Sequence, residues 1–381
     1  MERGVPDLFR ILQGIGGGIM FPLMQTLAMQ NVPAESRTRT MASVSLPAAL
    51  GPILGPVLGG IVLNWLSWRW LFLVNVPIGV VGWVLALVVL VDDRPDPSAP
   101  RQGLDVVGGV LLAPALAGLL YGLSNVHAEG GLTRADVLVP GVGGAVLLVA
   151  FVLWAAHRAG DALVDVRLFA VRSVRVSSVV LTFVGAALFA GNFLLPLYFQ
   201  SLRGDDALRA ALLLIPQGVG ALLARFVVAK LVERFGPRLV AVGGFLLMAV
   251  TTVPFALAGA GTSLWLLGVV LLLRGLGNGV VFIPIMTCAY VDIRRDQMPH
   301  ASAITRIVQQ LGGAFGTALV AVVLTAAADP ADPAAAFHAA FWWTVAITAL
   351  AAVFALLMPG RSGDGPDALD TPAPVCEGAT R

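Results

Sequence analysis

Few residues in this chain could do chemistry, and the most informative are charges and amides set among apolar neighbours. Arg10 and Gln13 stand three apart in Arg10-Ile-Leu-Gln13-Gly14-Ile-Gly16-Gly17-Gly18, so on a helix they share a face. Arg274 sits about eleven residues into an apolar run, ~16 Å along a helix axis. An arginine at the centre of a membrane span costs roughly 2.5–3.5 kcal/mol on insertion scales, so it persists where water or a polar group meets it. Arg10 could snorkel to a nearby helix end, but the cost favours a wet, functional face for both arginines. A guanidinium with a pKa above ~12 cannot load and unload protons; it can hold an anion, contact substrate or brace two bundles. Arg225 and Arg306 lie near span ends and are expected to snorkel. Asn75, polar within a span, should find a partner on another helix.

Other chemistries find no support. Gly14-x-Gly16 does not complete a dinucleotide fingerprint, because Ile19 stands where the last glycine belongs and no strand precedes it. There is no Walker A motif, so ATP is not expected to bind. His127, His157, His300 and His338 are scattered without metal-ligand spacing. Cys288 and Cys376 give neither a disulfide framework nor a metal site. A net charge of +2 does not suggest nucleic acid. Met1–Asp7 lacks the basic region and cleavage site of a secretory leader. No enzyme, cofactor, metal or catalytic group is expected.

The elements that must carry the arginines follow from composition. Of 381 residues, 58% are hydrophobic and 12% charged, with mean hydropathy +0.88; soluble domains carry about 25% charged residues. Lipid-facing surface explains the difference. Apolar runs long enough to cross ~30 Å of hydrocarbon as helix occur at about 5–29, 41–63, 71–91, 106–123, 137–156, 174–199, 208–229, 239–258, 263–289, 303–326 and 336–358. They are too long for barrel strands and do not alternate. The prediction is an all-α polytopic membrane protein of about eleven spans. Fifteen basic residues, Arg94, Arg101, Arg158 and Lys230 among them, fall in one set of alternate loops. Five (Arg3, Arg69, Arg134, Arg203, Arg209) fall in the other, so the first set should be cytoplasmic, with the C-terminus inside and the N-terminus outside. The polar stretches divide the chain into 1–91, a linker with two helices at 92–173, a six-helix bundle at 174–360, and a disordered tail at 361–381.

A repeat sits at an offset of 261 residues: Gly14, Gly16, Gly18 and Phe21 match Gly275, Gly277, Gly279 and Phe282, and Ala42, Gly51, Gly55 and Leu58 match Ala303, Gly312, Gly316 and Leu319. A gapless match over two helices and their loop implies two halves related about the membrane normal, with substrate between them. Gly51, Gly55 and Gly59 form a smooth stripe; Pro52 and Pro56 bend that helix, and Gly60 ends the pattern. Trp65, Trp68 and Trp70 suit an interfacial belt.

In this order the stretches resemble the major facilitator superfamily, in particular its fourteen-spanner drug:proton antiporter branch. Arg10 matches the motif arginine of that family's fourth helix. Gly51, Pro52, Gly55, Pro56, Gly59 and Gly60 match the antiporter motif of the fifth, and Ser67–Gly79 resembles the start of the sixth. Leu163–Phe169 and Leu195–Gln200 look like the lead-in and end of the ninth. Glu233, Arg234, Gly236 and Arg238 match the acid-Arg-x-Gly loop motif of the second half, with Ala229 where the family favours glycine. The match runs from about residue 8 to 358 and leaves three N-terminal helices, with their acidic residues, without a counterpart. The resemblance implies a two-bundle fold in the plasma membrane that exports a small hydrophobic or cationic compound as protons enter. In it Arg10 and Gln13 would tune coupling, the Gly/Pro helix would pivot, and Glu233, Arg234, Gly236 and Arg238 would latch the cytoplasmic side. Uptake of a small solute on the same fold, or a non-transporting remnant, are the alternatives.

Overall fold

A computed structural model describes residues 13–18, 20, 51, 55, 58–67, 69–89, 105–125, 134–158, 162–290, 293, 297–328 and 332–358. The chain divides into two compact units, Met1–Leu71 and Phe72–Arg381. In the first unit the described residues 13–18 and 58–65 are helical. Among the described residues, nothing lies within 4 Å of where a β-carbon would stand on Gly14, Gly16, Gly17, Gly18, Gly51 or Gly55, and Gly59 approaches the Leu71 side chain at 3.9 Å. Arg10, Pro52, Pro56, Trp68 and the tail from 361 lie outside the described residues.

After a short turn of helix at Trp70–Leu73, the second unit runs through α1 (Asn75–Val89), α2 (Val106–Asn125), α3 (Ala135–His157) and α4 (Arg172–Leu197). Then come α5 (Ala207–Leu213), α6 (Ile215–Phe235), α7 (Pro237–Ala256), α8 (Leu264–Tyr290), α9 (Met298–Ala326) and α10 (Pro333–Ala355). Among the described residues nine helical stretches are long and apolar enough to cross a membrane, and no strand occurs. They coincide with the nine predicted runs from residue 71 onward; the predicted runs at 5–29 and 41–63 lie mostly outside the described residues. The helices start and stop for ordinary reasons. Proline occupies the first turn of α6, α7, α9 and α10, where its missing N–H has no partner to lose. Asp206 and Asp332 accept N-terminal N–H groups, from Arg209 at 2.6 Å and Ala334 at 3.1 Å. Gly236, at φ +82°, is the single residue between α6 and α7. A side chain there would be strained, so the pair Gly236-Pro237 makes the reversal.

Lipid tails are as apolar as leucine, so helices in a membrane associate by close packing rather than by hydrophobic exclusion. Glycines provide that packing in the second unit. A β-carbon on Gly275 would fall against the Gln217 backbone of α6, and one on Gly312 or Gly316 against the Thr182 or Ala186 backbone of α4. Gly277 of α8 meets Gly244 and Met248 of α7. The repeat glycines of α8 and α9 are therefore seam residues. Two apolar clusters fill the bundle above and below its middle. One is built on Leu181, Ala187, Phe245, Met248, Val281, Ile285 and Ile347, the other on Leu194, Tyr198, Phe199, Phe255, Leu271, Phe337 and Phe341. In the second, Tyr198 meets Phe255, Phe337 and Phe341 edge-on, with centroids 5.7–6.1 Å apart, and its hydroxyl donates to the Gly259 carbonyl at 3.0 Å.

Candidate functional site

Arg274 lies between these two clusters. On α7, α8 and α10 the buried polar residues Thr251, Thr252, Arg274 and Thr344 fall after the residues that feed one cluster and before those that feed the other. The Arg274 residue is only 3% exposed. Its Nη1 donates to Gln217 Oε1 of α6 at 2.9 Å, and its Nε donates to Thr252 Oγ1 of α7 at 3.3 Å. Thr252 in turn donates to the Met248 carbonyl at 2.7 Å. Gly191 of α4 completes the pocket: a β-carbon there would collide with Nη2 and crowd the guanidinium carbon at 2.9 Å. Gly275, next in sequence to the arginine, lets α6 approach closely enough for Gln217 to reach the charge. Two of the five guanidinium N–H donors are used in this way. Among the described residues no carboxylate pairs with Arg274. The site is thus a fixed positive charge at the convergence of four helices, held by neutral oxygens. It can attract or orient an anionic group, and it cannot serve as a base.

The other sequence-predicted residues are dispersed. Gln13 is exposed on its short helix, Gly51 and Gly55 are exposed, Gly59 is half-buried and Gly60 is buried in the first unit. Asn75 opens α1 at an exposed position. Glu233 and Arg234 occupy the last turn of α6, not a loop: the helix runs on past the predicted end at 229, and only Gly236 is left to connect. Glu233, Arg234 and Arg238 are exposed and Gly236 is buried. Arg225 and Arg306 are exposed, as snorkelling requires. Among the described residues no group of His, Cys, Asp and Glu could hold a metal ion.

The Major Facilitator Superfamily profile matches residues 8–317. The chain belongs to that superfamily. Its long apolar helices fit a superfamily of multi-pass membrane transporters. It is 35% identical over 320 residues to the multidrug resistance protein B homolog of Mycobacterium tuberculosis (strain ATCC 25618 / H37Rv), covering 84% of this chain and 59% of that protein. It is 32% identical over 316 residues to the uncharacterized MFS-type transporter YhcA of Bacillus subtilis (strain 168), covering 83% of this chain and 58% of that protein. The chain thus spans about three fifths of the length of these relatives. A crystal structure of the nucleoside transporter NupG aligns with TM-score 0.46 at 14% identity, over 81% of this chain and 90% of that one.

In this member of the superfamily one further polar centre escaped sequence reasoning. Asp105 precedes α2 with its side chain 2% exposed. Its Oδ1 accepts the Gly108 N–H at 2.9 Å and the Trp154 indole N–H at 3.3 Å, and its Oδ2 accepts the Leu163 N–H at 2.9 Å. Arg158 Nη1 stands 3.8 Å away. The Gly108 N–H, chiefly, holds the carboxyl below its ordinary pKa; burial pushes the other way, and Leu163, Trp154 and Arg158 add to the lowering. The carboxylate ties the start of α2, the end of α3 and the segment before α4 into one knot. His300 Nδ1, at 3.3 Å from the Leu163 carbonyl, connects that knot to α9. The signal in the sequence was Asp105-x-x-Gly108, a helix cap followed by the one residue type that leaves room for the capping carboxylate.

Proposed function

We propose that this chain belongs to a secondary active exporter of the plasma membrane, moving a small hydrophobic or cationic compound outward as protons move inward, by rocking of two bundles. The observation that carries the reading is the buried, carboxylate-free Arg274 at mid-depth of a glycine-seamed bundle, in a chain 35% identical to a protein named for multidrug resistance. A charge that expensive is retained for what it does in a cavity rather than for packing. Arg274 sets the positive potential of the C-terminal side, with Gln217 and Thr252 fixing its direction. Arg10 and Gln13 are its partners in the N-terminal side and tune proton coupling. The Gly51–Gly60 helix pivots, and Glu233, Arg234, Gly236 and Arg238 latch the cytoplasmic face, where the C-terminus also lies. The described acidic residues Asp105, Asp136, Asp165, Asp205, Asp206, Glu233 and Asp332 all lie at helix ends or in the connections between helices. Proton loading is therefore assigned to a group outside the described residues. The test is dye efflux from preloaded right-side-out vesicles containing the full-length protein, driven by an imposed pH gradient, acid outside. Efflux that ignores the gradient ends the antiport reading, and accumulation driven by the gradient favours solute uptake instead.

A further inference from the structure

α4 and α9 pack along their length in the second unit, and glycines set how closely they approach. A β-carbon on Gly185 would fall against the Gln309 carbonyl, and the Phe189 ring lies over Gly313, 2.7 Å from where a β-carbon would stand. These contacts form one edge of the seam. Gly312 against Thr182 and Gly316 against Ala186 form the other. Because small residues let the two backbones meet along both lines, the residues just outside each edge are held at fixed positions.

The two edges differ in chemistry. Asn192 stands three residues after Phe189 on α4, and Gln310 three before Gly313 on α9, so both continue the first edge, and both are exposed. Phe189 between them is 37% exposed. The second edge, three residues before Thr182 and three after Gly312, exposes Val179 and Phe315 instead. Phe189 and Gln310 each lie two residues from the midpoint of their spans, Arg172–Leu202 and Met298–Ala326, which is about 3 Å from mid-depth. An amide set against lipid tails gives up its hydrogen bonds to water and gains none. Two exposed amides near this depth therefore mark the first edge as facing water, whereas the second suits lipid. Neither α4 nor α9 holds an acidic residue, and Arg306, four before Gln310, is basic, so a cation finds no charge partner on these two helices.

We propose that Phe189, Asn192 and Gln310 form a surface that selects small aromatic compounds carrying uncharged hydrogen-bonding groups. The assignment rests on the exporter reading above and narrows its cargo. The ring of such a compound stacks offset on Phe189. Its carbonyl, amide or hydroxyl groups meet the two carboxamides, each of which both donates and accepts. Three residues to either side of the Phe189–Gly313 contact place the amides about 9 Å apart along the helix axes, a spacing that a ring with a polar substituent bridges. Hydrogen bonding and shape decide what binds here, and formal charge does not.

Two measurements on the full-length protein test the surface and its cargo separately. In lipid bilayers, on a Cys376→Ser background, a charged methanethiosulfonate should label Asn192→Cys and Gln310→Cys about tenfold faster than Val179→Cys and Phe315→Cys, because a thiol reacts as the thiolate and ionises in water rather than in lipid. Equal rates at the two edges overturn the proposal. Export from preloaded cells is then followed for chloramphenicol, an uncharged aromatic amide, and for tetraphenylphosphonium, an aromatic cation without hydrogen-bonding groups. Asn192→Leu with Gln310→Leu should lower chloramphenicol export about tenfold, the equivalent of two hydrogen bonds in a membrane protein, and tetraphenylphosphonium export less. Asn192→Gln, which keeps an amide, should lose less than Asn192→Leu, and Phe189→Leu should weaken export of both probes. Chloramphenicol export that survives the double substitution, an equal loss of both probes, or a wild type that exports the cation alone overturns the proposal. A wild type that exports neither probe refutes the exporter reading and the cargo with it, whereas a failed labelling contrast refutes this surface alone.

Discussion

Arg274→Met separates a functional charge from a structural brace. The substitution removes the guanidinium while keeping an unbranched apolar chain of similar reach, so little cavity opens among Gly191, Gln217 and Thr252. Two hydrogen bonds are lost. In membrane proteins such bonds contribute about 0.6 kcal/mol each on average and about 1.7 at most, so the loss is roughly 1–3 kcal/mol. Against that, an arginine at the centre of a span carries a cost of about 2.5–3.5 kcal/mol that the methionine escapes. The two nearly cancel, and the expected change lies between about 1 kcal/mol of destabilisation and about 2 kcal/mol of stabilisation. Arg274→Ala removes the same bonds and adds a void, for a further ~2–5 kcal/mol. Melting of the purified protein, followed by size-exclusion fluorescence, should place the methionine variant near wild type and the alanine variant well below it. Efflux of a fluorescent dye should fall at least tenfold in Arg274→Met despite its intact fold, an effect of about 1.4 kcal/mol or more on transport. A methionine variant as unstable as the alanine variant would make Arg274 a brace, and one that exports normally would remove it from the mechanism.

Gly316→Leu should destabilise the second unit by about 1–3 kcal/mol through overpacking, because its β-carbon would press on the Ala186 backbone. Melting of the purified variant checks this. Gly55→Leu should block transport by overpacking the seam of the Gly51–Gly60 helix, and normal transport there would remove that stripe from the mechanism. Asp105→Ala should cost about 1–3 kcal/mol from the lost cap and stranded donors, read as earlier proteolysis around Leu163. Because the folded carboxyl titrates below its ordinary value, its contribution is present above about pH 4 and fades as pH falls through the lower folded value. An acid melting profile that Asp105→Asn leaves unchanged would contradict that assignment. Arg10→Ala should abolish gradient-driven efflux with expression intact, and unchanged efflux would remove Arg10 from coupling. Reporter fusions within 92–103 should report cytoplasmic, and an external signal would invert the topology.

Composition and run length were enough to establish a polytopic helical membrane protein, because a backbone in hydrocarbon must satisfy its own hydrogen bonds and a 30 Å slab dictates about twenty apolar residues. The 261-residue repeat, with its ordered motifs, pointed to the superfamily that residues 8–317 match. Depth along the span also marked Arg274 as costly, since insertion cost rises toward the centre of a segment. Its partners were not legible: Gln217 and Thr252 are 57 and 22 residues away, and nothing in their own segments marks them as facing a charge. Asp105 shows the same limit more sharply. Read along the chain it was a polar residue beside a linker; its burial depends on Leu163, 58 residues away, closing over it. Local propensity and hydropathy act within a segment, whereas the electrostatic character of a buried group depends on which other segments pack against it, and only the tertiary structure decides that.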